Sequence, residues 1–363
     1  MARIICLSNG HGEDQVGSQV AQALQRLSHE VLALPLIGLG HAYQKRGIPI
    51  LGQPQQLPSG GFDLFSDLKQ GLLGILKRHW HTLTRTQGDM ILAVGDVLVM
   101  AMAWKTGIPY AFIGTAKSDY FWGECHRPYL WRRCDYFPWE RWLMRQALAV
   151  YPRDGWTTAN LRRYFGIPAF DLGNPMVDDL AEWTPLSLPK PALLLLPGSR
   201  PPEAHANWQK ILGVIQHLPA TVTPITALAP SLDPAALPGL AQIAVVPFAD
   251  GVHHADVVLA MAGTATEQCV ALGKPVVTLP GQGPQFTPRF ARRQARLLGS
   301  LVHLTQADQA PQVIRHILQR LVQEPEWQKH LQAEGRKRMG DPGAANRIAH
   351  HLHQHWLSRS LVN

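Results

Sequence analysis

Cysteine is scarce in this chain of 363 residues, and what there is lies scattered. Cys6, Cys125, Cys134 and Cys269 form no CxxC pair and no evenly spaced framework. They read as reduced thiols of a cytosolic compartment rather than as a disulfide scaffold. Acidic residues also run short: 26 Asp and Glu stand against 34 Lys and Arg, for a formal net charge of +8. Such a balance points to anionic partners, whether nucleic acid, phosphorylated metabolites or an anionic membrane surface. Long apolar runs are missing too. No stretch reaches the roughly 18 residues a spanning helix needs, and the first ten residues hold too short an apolar run for a secretory leader. Any membrane association is therefore expected to be peripheral, on the inner face, with the cytoplasm as the expected compartment. No GxGxxG follows the first strand, and the Gly38-Leu-Gly40 pair is not completed at Tyr43, so a nicotinamide dinucleotide is poorly supported.

What is present is ordinary for a globular protein: 46% apolar and 17% charged residues, in a length that suits two domains. Short apolar runs alternate with amphipathic stretches, the pattern of βα units feeding parallel sheets. In the first half, strands are expected at 3–7, 30–35, 90–94, 110–113 and 147–151. Val16, Val20, Leu24 and Leu27 place a helix over 12–27. A second series is expected at 192–196, 222–227, 243–246, 257–260, 275–279 and 301–304. Between the two, residues 182–191 carry three prolines, the mark of a stiff connection. The expected domains are 1–184, with an aromatic-rich insert near 120–143, and 185–342. A final helix over 343–363 is expected to pack back on the first domain.

Three motifs of the second half sit at strand ends, where open α/β sheets bind ligands. Gly198-Ser199-Arg200 closes a buried strand before a helix marked by Trp208, Ile211, Leu212 and Ile215. Its backbone N–H groups and the Arg200 fork suit a diphosphate, the alternative being a turn with a solvated arginine. Gly263, Thr264, Ala265, Thr266 and Glu267 open the next such helix. Glycine there permits close approach, the hydroxyls can cap the helix or reach phosphate, and Glu267 can accept from ribose hydroxyls or serve as an acid favourable in a first turn. The Gly/Pro-rich loop 280–288 adds Gln282 and Gln285 for sugar hydroxyls.

In the first half, Ser8-Asn9-Gly10-His11-Gly12-Glu13-Asp14 follows the first strand, so that His11, Glu13 and Asp14 come to the sheet edge as candidate bases or acceptor contacts. Asp96 ends a strand at the same edge, as a second base or as a helix cap. Lys117 and Asp119 follow the next strand, where they could meet an acceptor phosphate or orient a base. Nine aromatic residues between Tyr120 and Trp142 are interleaved with Arg127, Arg132, Arg133 and Arg141. That pattern fits a membrane headgroup boundary, a nucleic-acid stacking platform or a small inserted core. The remaining basic residues are dispersed and no nucleic-acid signature appears. A helix over 62–85, with Leu64, Leu68, Leu72, Leu73, Leu76 and Trp80 on one face, could line an acceptor groove, touch membrane or face the core. The histidines of 350–355 have no acid or cysteine beside them, so no metal is assigned.

Gly12-Glu13-Asp14, residues 173–178 (GNPMVD), 196–200 (LPGSR), 263–266 (GTAT) and 273–277 (GKPVV) together give a resemblance over nearly the whole chain. The chain resembles lipid-A-disaccharide synthase, and especially the cyanobacterial proteins related to it. The resemblance implies a GT-B fold, two Rossmann-like domains with parallel sheets facing across a cleft. It further implies an inverting, metal-independent transfer of a sugar from UDP with no cofactor, the acceptor held by the N-terminal domain. Ser199, Arg200, Gly263, Thr264 and Glu267 would hold the nucleotide-sugar, and Asp96 falls near the family's catalytic aspartate. Asn9-Gly10-His11-Gly12 departs from the family's first-turn pattern, and the tryptophan-rich insert departs as well, so a lipid-linked or otherwise amphipathic acceptor is expected rather than lipid A itself. A UDP-sugar epimerase or hydrolase of the same fold, and a non-catalytic nucleotide-sugar or membrane binder, are the alternatives.

Overall fold

The computed structural model describes residues 1–52, 72–123, 134–281, 283 and 286–357. The chain divides into two compact units, Met1–Asp178 with Pro342–Asn363, and Asp179–Asp341. The division falls at Asp178, ahead of the proline-rich stretch expected to mark it.

The first unit is built on β1 (Arg3–Ser8), β2 (Glu30–Pro35), β3 (Met90–Gly95), β4 (Tyr110–Gly114) and β5 (Ala149–Tyr151). They pair in parallel in the order β2-β1-β3-β4-β5. Strands β3, β4 and β5 are buried at every residue, because helices cover both faces of such a sheet and leave no position for alternation. The helices are α1 (His11–Arg26), α2 (His41–Lys45), α3 (Leu72–Arg85), α4 (Val97–Thr106), α5 (Pro138–Gln146) and α6 (Gly155–Phe165). Helix α1 lays Val16, Val20 and Leu24 into the core, with Glu13 and Asp14 at its positive end and Arg26 in its last turn. Of the helix expected over 62–85, residues 62–71 lie outside the described residues. The expected aromatic insert is no separate core where it is described: Tyr136, Leu143 and Met144 join the main core of this unit. Arg127, Arg132 and Arg133 lie outside the described residues.

The second unit holds β6 (Ala192–Leu196), β7 (Thr223–Thr226), β8 (Ala244–Val245), β9 (Val257–Ala260), β10 (Val276–Thr278) and β11 (Val302–Leu304), all parallel, in the order β11-β10-β9-β6-β7-β8. Its helices are α7 (Glu203–Ile215), α8 (Phe248–His254), α9 (Thr264–Ala271), α10 (Pro288–Leu298), α11 (Ala310–Gln323) and α12 (Pro325–Met339). Trp208 and Ile211 of α7 lie fully in its core. The sequence 273–277 is structural here. Gly273 has φ +71° and sits where a Cβ would press on the backbone of Gln332, while Lys274 donates to the carbonyls of His253 and Ala255 at 3.0 and 2.7 Å.

The chain then returns to the first unit as α13 (Ala344–Leu352), which packs on α1. Asp178 explains both the return and the position of the division. Its carboxylate accepts from the backbone N–H groups of Gly343, Ala344 and Ala345 at 2.7, 3.1 and 2.8 Å, and so caps the returning helix. Histidines of the same segment close the contact, His29 Nε2 with His353 Nδ1 at 2.9 Å and Tyr151 with His351 Nδ1 at 2.8 Å.

Candidate functional site

In the second unit the strand order reverses between β6 and β9, the place where a doubly wound sheet opens a crevice beyond its carboxyl ends. Leu196 pairs with Ala260, and Met261 N donates to Leu196 O at 2.8 Å, so 197–200 and 261–267 leave the sheet side by side. Gly198 has φ +102°, and a Cβ there would lie 3.1 Å from the Met261 carbonyl oxygen. Only glycine fits both the left-handed backbone and that approach.

Side chains from behind fix these turns by their carbonyls. Asn207 Nδ2 donates to Pro197 O at 3.0 Å, Thr266 Oγ1 to Ala262 O at 2.7 Å, and Gln294 Nε2 to Ala262 O and Gly263 O at 3.2 and 3.0 Å. Each bond uses a carbonyl, the backbone group that repels an anion, and none uses an N–H of the turns. The residues that precede α7 and α9, Pro202 and Gly263, make no side-chain cap of their own, and the positive helix ends are the kind of group an anion can meet. Ser199 and Thr264 are exposed, Gly263, Ala265 and Arg200 half-buried, and Glu267 buried in the first turn of α9. Burial lowers the Arg200 guanidinium from its ordinary range, opposed by the charge of Glu203. Thr266 departs from expectation: its hydroxyl is fully buried and spent on Ala262 O, so it braces the turn instead of facing phosphate.

The loop after β10 is drawn against the start of α7. Buried Glu203 accepts from Phe286 N at 2.6 Å, and Lys210 Nζ donates to Pro280 O at 3.2 Å. Gly283 sits where any Cβ would collide with the Glu203 carboxyl. Gln282 and Gln285 lie outside the described residues. Glu203, Asn207 and Gln294 had no motif to announce them. The one signal is their place on helices flanking the motif loops.

In the first unit the order reverses between β1 and β3. Ser8–Asp14 and Gly95–Asp96 meet at that point. Gly95, at φ +136°, has no room for a Cβ beside the Asn9 side chain, and a Cβ on Gly10 would collide with Glu13. Glu13 is half-buried there, and its Oε1 accepts from Thr115 Oγ1, beyond the end of β4, at 2.8 Å. His11 is exposed, with its ring over Gly38, and Gly12 is half-buried. Asp96 is exposed and caps α4, its Oδ1 accepting from Leu98 N at 2.8 Å.

Asp14 lies inward of this edge. Its Oδ1 accepts from Ser8 Oγ at 2.6 Å, and Ser8 in turn accepts from Tyr43 at 3.0 Å. Burial raises the Asp14 carboxyl to about 7, the Ser8 bond opposing and the Glu13 charge reinforcing the rise. Lys117 and Asp119, expected on the acceptor side, are taken up by the protein. Lys117 Nζ binds the buried Glu140 at 2.6 Å. Asp119 is buried, accepting from Asp135 N and Asn160 Nδ2 at 2.9 and 2.8 Å, because the chain after β4 must be tied to α6. Among the described residues no group of three or more His, Cys, Asp or Glu is placed to hold a metal ion. No described helix is long and apolar enough to cross a membrane.

No protein-family model and no curated protein sequence matches this chain. Solved structures do. CalG4, the calicheamicin glycosyltransferase, superposes with a TM-score of 0.66 at 16% identity, over 98% of this chain and 99% of its own. MnaA of S. aureus, solved with UDP, gives 0.62 at 14% identity over 99% and 97%. A UDP-N-acetylglucosamine 2-epimerase gives 0.60 at 14% identity over 99% and 98%. The fold is GT-B. Two Rossmann-like units, each with a parallel sheet, are what these structures share with the chain. They point to that fold at large and not to lipid-A-disaccharide synthase in particular.

Proposed function

We propose that the chain is a UDP-sugar-dependent glycosyltransferase, inverting and metal-independent, acting on a lipid-linked or amphipathic acceptor. The observation that carries the donor assignment is the β6/β9 reversal, where the amino ends of two helices, Arg200 and an obligatory glycine converge and the carbonyls are tied back. The UDP bound in the MnaA structure supports uridine as the nucleotide. Glu267 is assigned to the ribose hydroxyls, and Gly198, Ser199, Gly263, Thr264 and Ala265 to the diphosphate.

The acceptor oxygen attacks the anomeric carbon and the bond from that carbon to the diphosphate oxygen breaks with inversion. UDP leaves with the electron pair, its charge taken by Arg200 and the ends of α7 and α9. The acceptor proton passes to a base of the first unit. Among His11, Glu13 and Asp96 we assign it to Glu13, the one held by a neighbouring strand end through Thr115.

A second reading, inversion at C2 of a UDP-sugar, is favoured by the comparable likeness to a UDP-N-acetylglucosamine 2-epimerase. Incubation with UDP-N-acetylglucosamine and UDP-glucose, with and without a hydroxyl-bearing lipid amphiphile, separates the two. The transferase reading expects UDP release that depends on the amphiphile, with the donor otherwise unchanged. Conversion of UDP-N-acetylglucosamine to its C2 epimer without acceptor would replace it by the second reading.

A further inference from the structure

Helix α4 of the first unit packs on both α3 and α5. Together they carry Lys77, Arg78, Arg85, Lys105, Arg141 and Arg145 against one carboxylate, Glu140. Glu140 is buried, with its Oε2 taken by Lys117 Nζ at 2.6 Å and Phe137 N at 2.7 Å. Within their described spans the three helices therefore present positive charge to solvent, with the exposed Asp96 at the start of α4 a carboxylate beside them.

Large rings share this surface. Trp104, Phe137, Trp139 and Trp142 are between 45% and 57% exposed. They are contiguous in pairs: Phe137 stacks on Trp139 at 4.6 Å, and Trp104 meets Trp142 edge-on at 5.0 Å. Lys105 Nζ lies 5.0 Å from the ring of Trp80 on α3, which links the third helix. Helix α5 buries Leu143 and Met144 and turns Trp139 and Trp142 outward, where a helix that only covered its core would carry polar residues. Monomeric proteins seldom leave such a cluster bare without a partner for it.

We propose that this face docks the first unit on an anionic lipid bilayer. Indole rings favour the headgroup level, apolar body inward and N–H toward water, and Lys and Arg are each drawn to an anionic surface. A single-stranded nucleic acid would need open ring faces, whereas Phe137 and Trp139 cover each other at an 11° interplanar angle. The proposal deepens the transferase reading by giving the place where a lipid-linked acceptor is met. Its evidence and its test are separate from the nucleotide site.

The test is flotation of the full chain with vesicles of phosphatidylcholine alone or mixed with phosphatidylglycerol. Flotation is expected with the anionic vesicles, falling as salt rises, and the double variant Trp139→Ser/Trp142→Ser is expected to bind them roughly tenfold more weakly or worse. Both positions are exposed, so the variant should keep the wild-type melting temperature and the same UDP affinity. Wild-type protein that stays behind with anionic vesicles overturns the proposal, as does a double variant that floats equally well. A single-stranded oligonucleotide bound by the wild type, lost in the double variant and unaccompanied by flotation would assign the face to nucleic acid instead. Because UDP titration needs no membrane, failure here leaves the donor site standing.

Discussion

Each unit of this chain reverses its strand order once, and the two points of reversal are furnished in opposite ways. At β6/β9 the loops offer backbone N–H groups, the amino ends of two helices and Arg200, with their carbonyls engaged by Asn207, Thr266 and Gln294. At β1/β3 they offer titratable side chains: Glu13 held by Thr115, Asp14 by Ser8, and His11 and Asp96 at the rim. On the proposed function, the same topology would hold the donor's diphosphate in one unit and take the acceptor proton in the other. That reading predicts that binding and chemistry separate by mutation.

The largest effect that would sharpen this division is expected from Glu13→Gln. The amide can still accept from Thr115 but is no base, so kcat should fall by about 10²- to 10⁴-fold with UDP affinity unchanged. Steady-state rates beside a UDP titration read both quantities. In the other unit, Gly198→Ala must strain a backbone at φ +102° and push on the Met261 carbonyl. A cost of about 1–3 kcal/mol is expected there, seen as weaker UDP binding with little change in the rate of bound substrate.

Asp14 ties the stability of the first unit to pH. Its carboxyl, ordinarily 3.8, is raised to about 7 by burial. The folded state therefore holds the proton that the unfolded state has released. The resulting contribution is full below about pH 4 and is lost as pH rises through 7. Asp14→Asn should flatten that slope, on the order of a few kcal/mol, in urea denaturation followed at successive pH values. Glu203→Ala removes the acceptor of Phe286 N and frees the loop after β10, so a loss of about 1–3 kcal/mol is expected, concentrated in nucleotide-sugar affinity. The smallest effect should be that of Asp96→Asn, since asparagine caps a helix as well as aspartate does. A large fall in kcat with an unchanged melt would move the base from Glu13 to Asp96.

The strands were legible because parallel strands buried on both faces are runs of apolar residues, as in MILAVG at 90–95 and ALLLL at 192–196. The glycines were legible as well, since Gly198 and Gly263 stand directly after such runs. The ties that hold the loops were not. Thr115 reaches Glu13 across 102 positions, Glu203 reaches Phe286 across 83, and Asp178 reaches α13 across 165 to 167. No local period encodes a bond between a side chain and a distant backbone. The same blindness misplaced Lys117 and Asp119, whose partners Glu140 and Asn160 come from later helices. It also gave Thr266 a ligand where the fold gives it the carbonyl of Ala262.

The most direct measurement is a calorimetric titration of UDP into wild type, Gly198→Ala and Glu13→Gln side by side. The division of labour predicts binding by the wild type, a clear loss in Gly198→Ala and wild-type affinity in Glu13→Gln. Absence of uridine-nucleotide binding by the wild type, or a loss confined to Glu13→Gln, would contradict it.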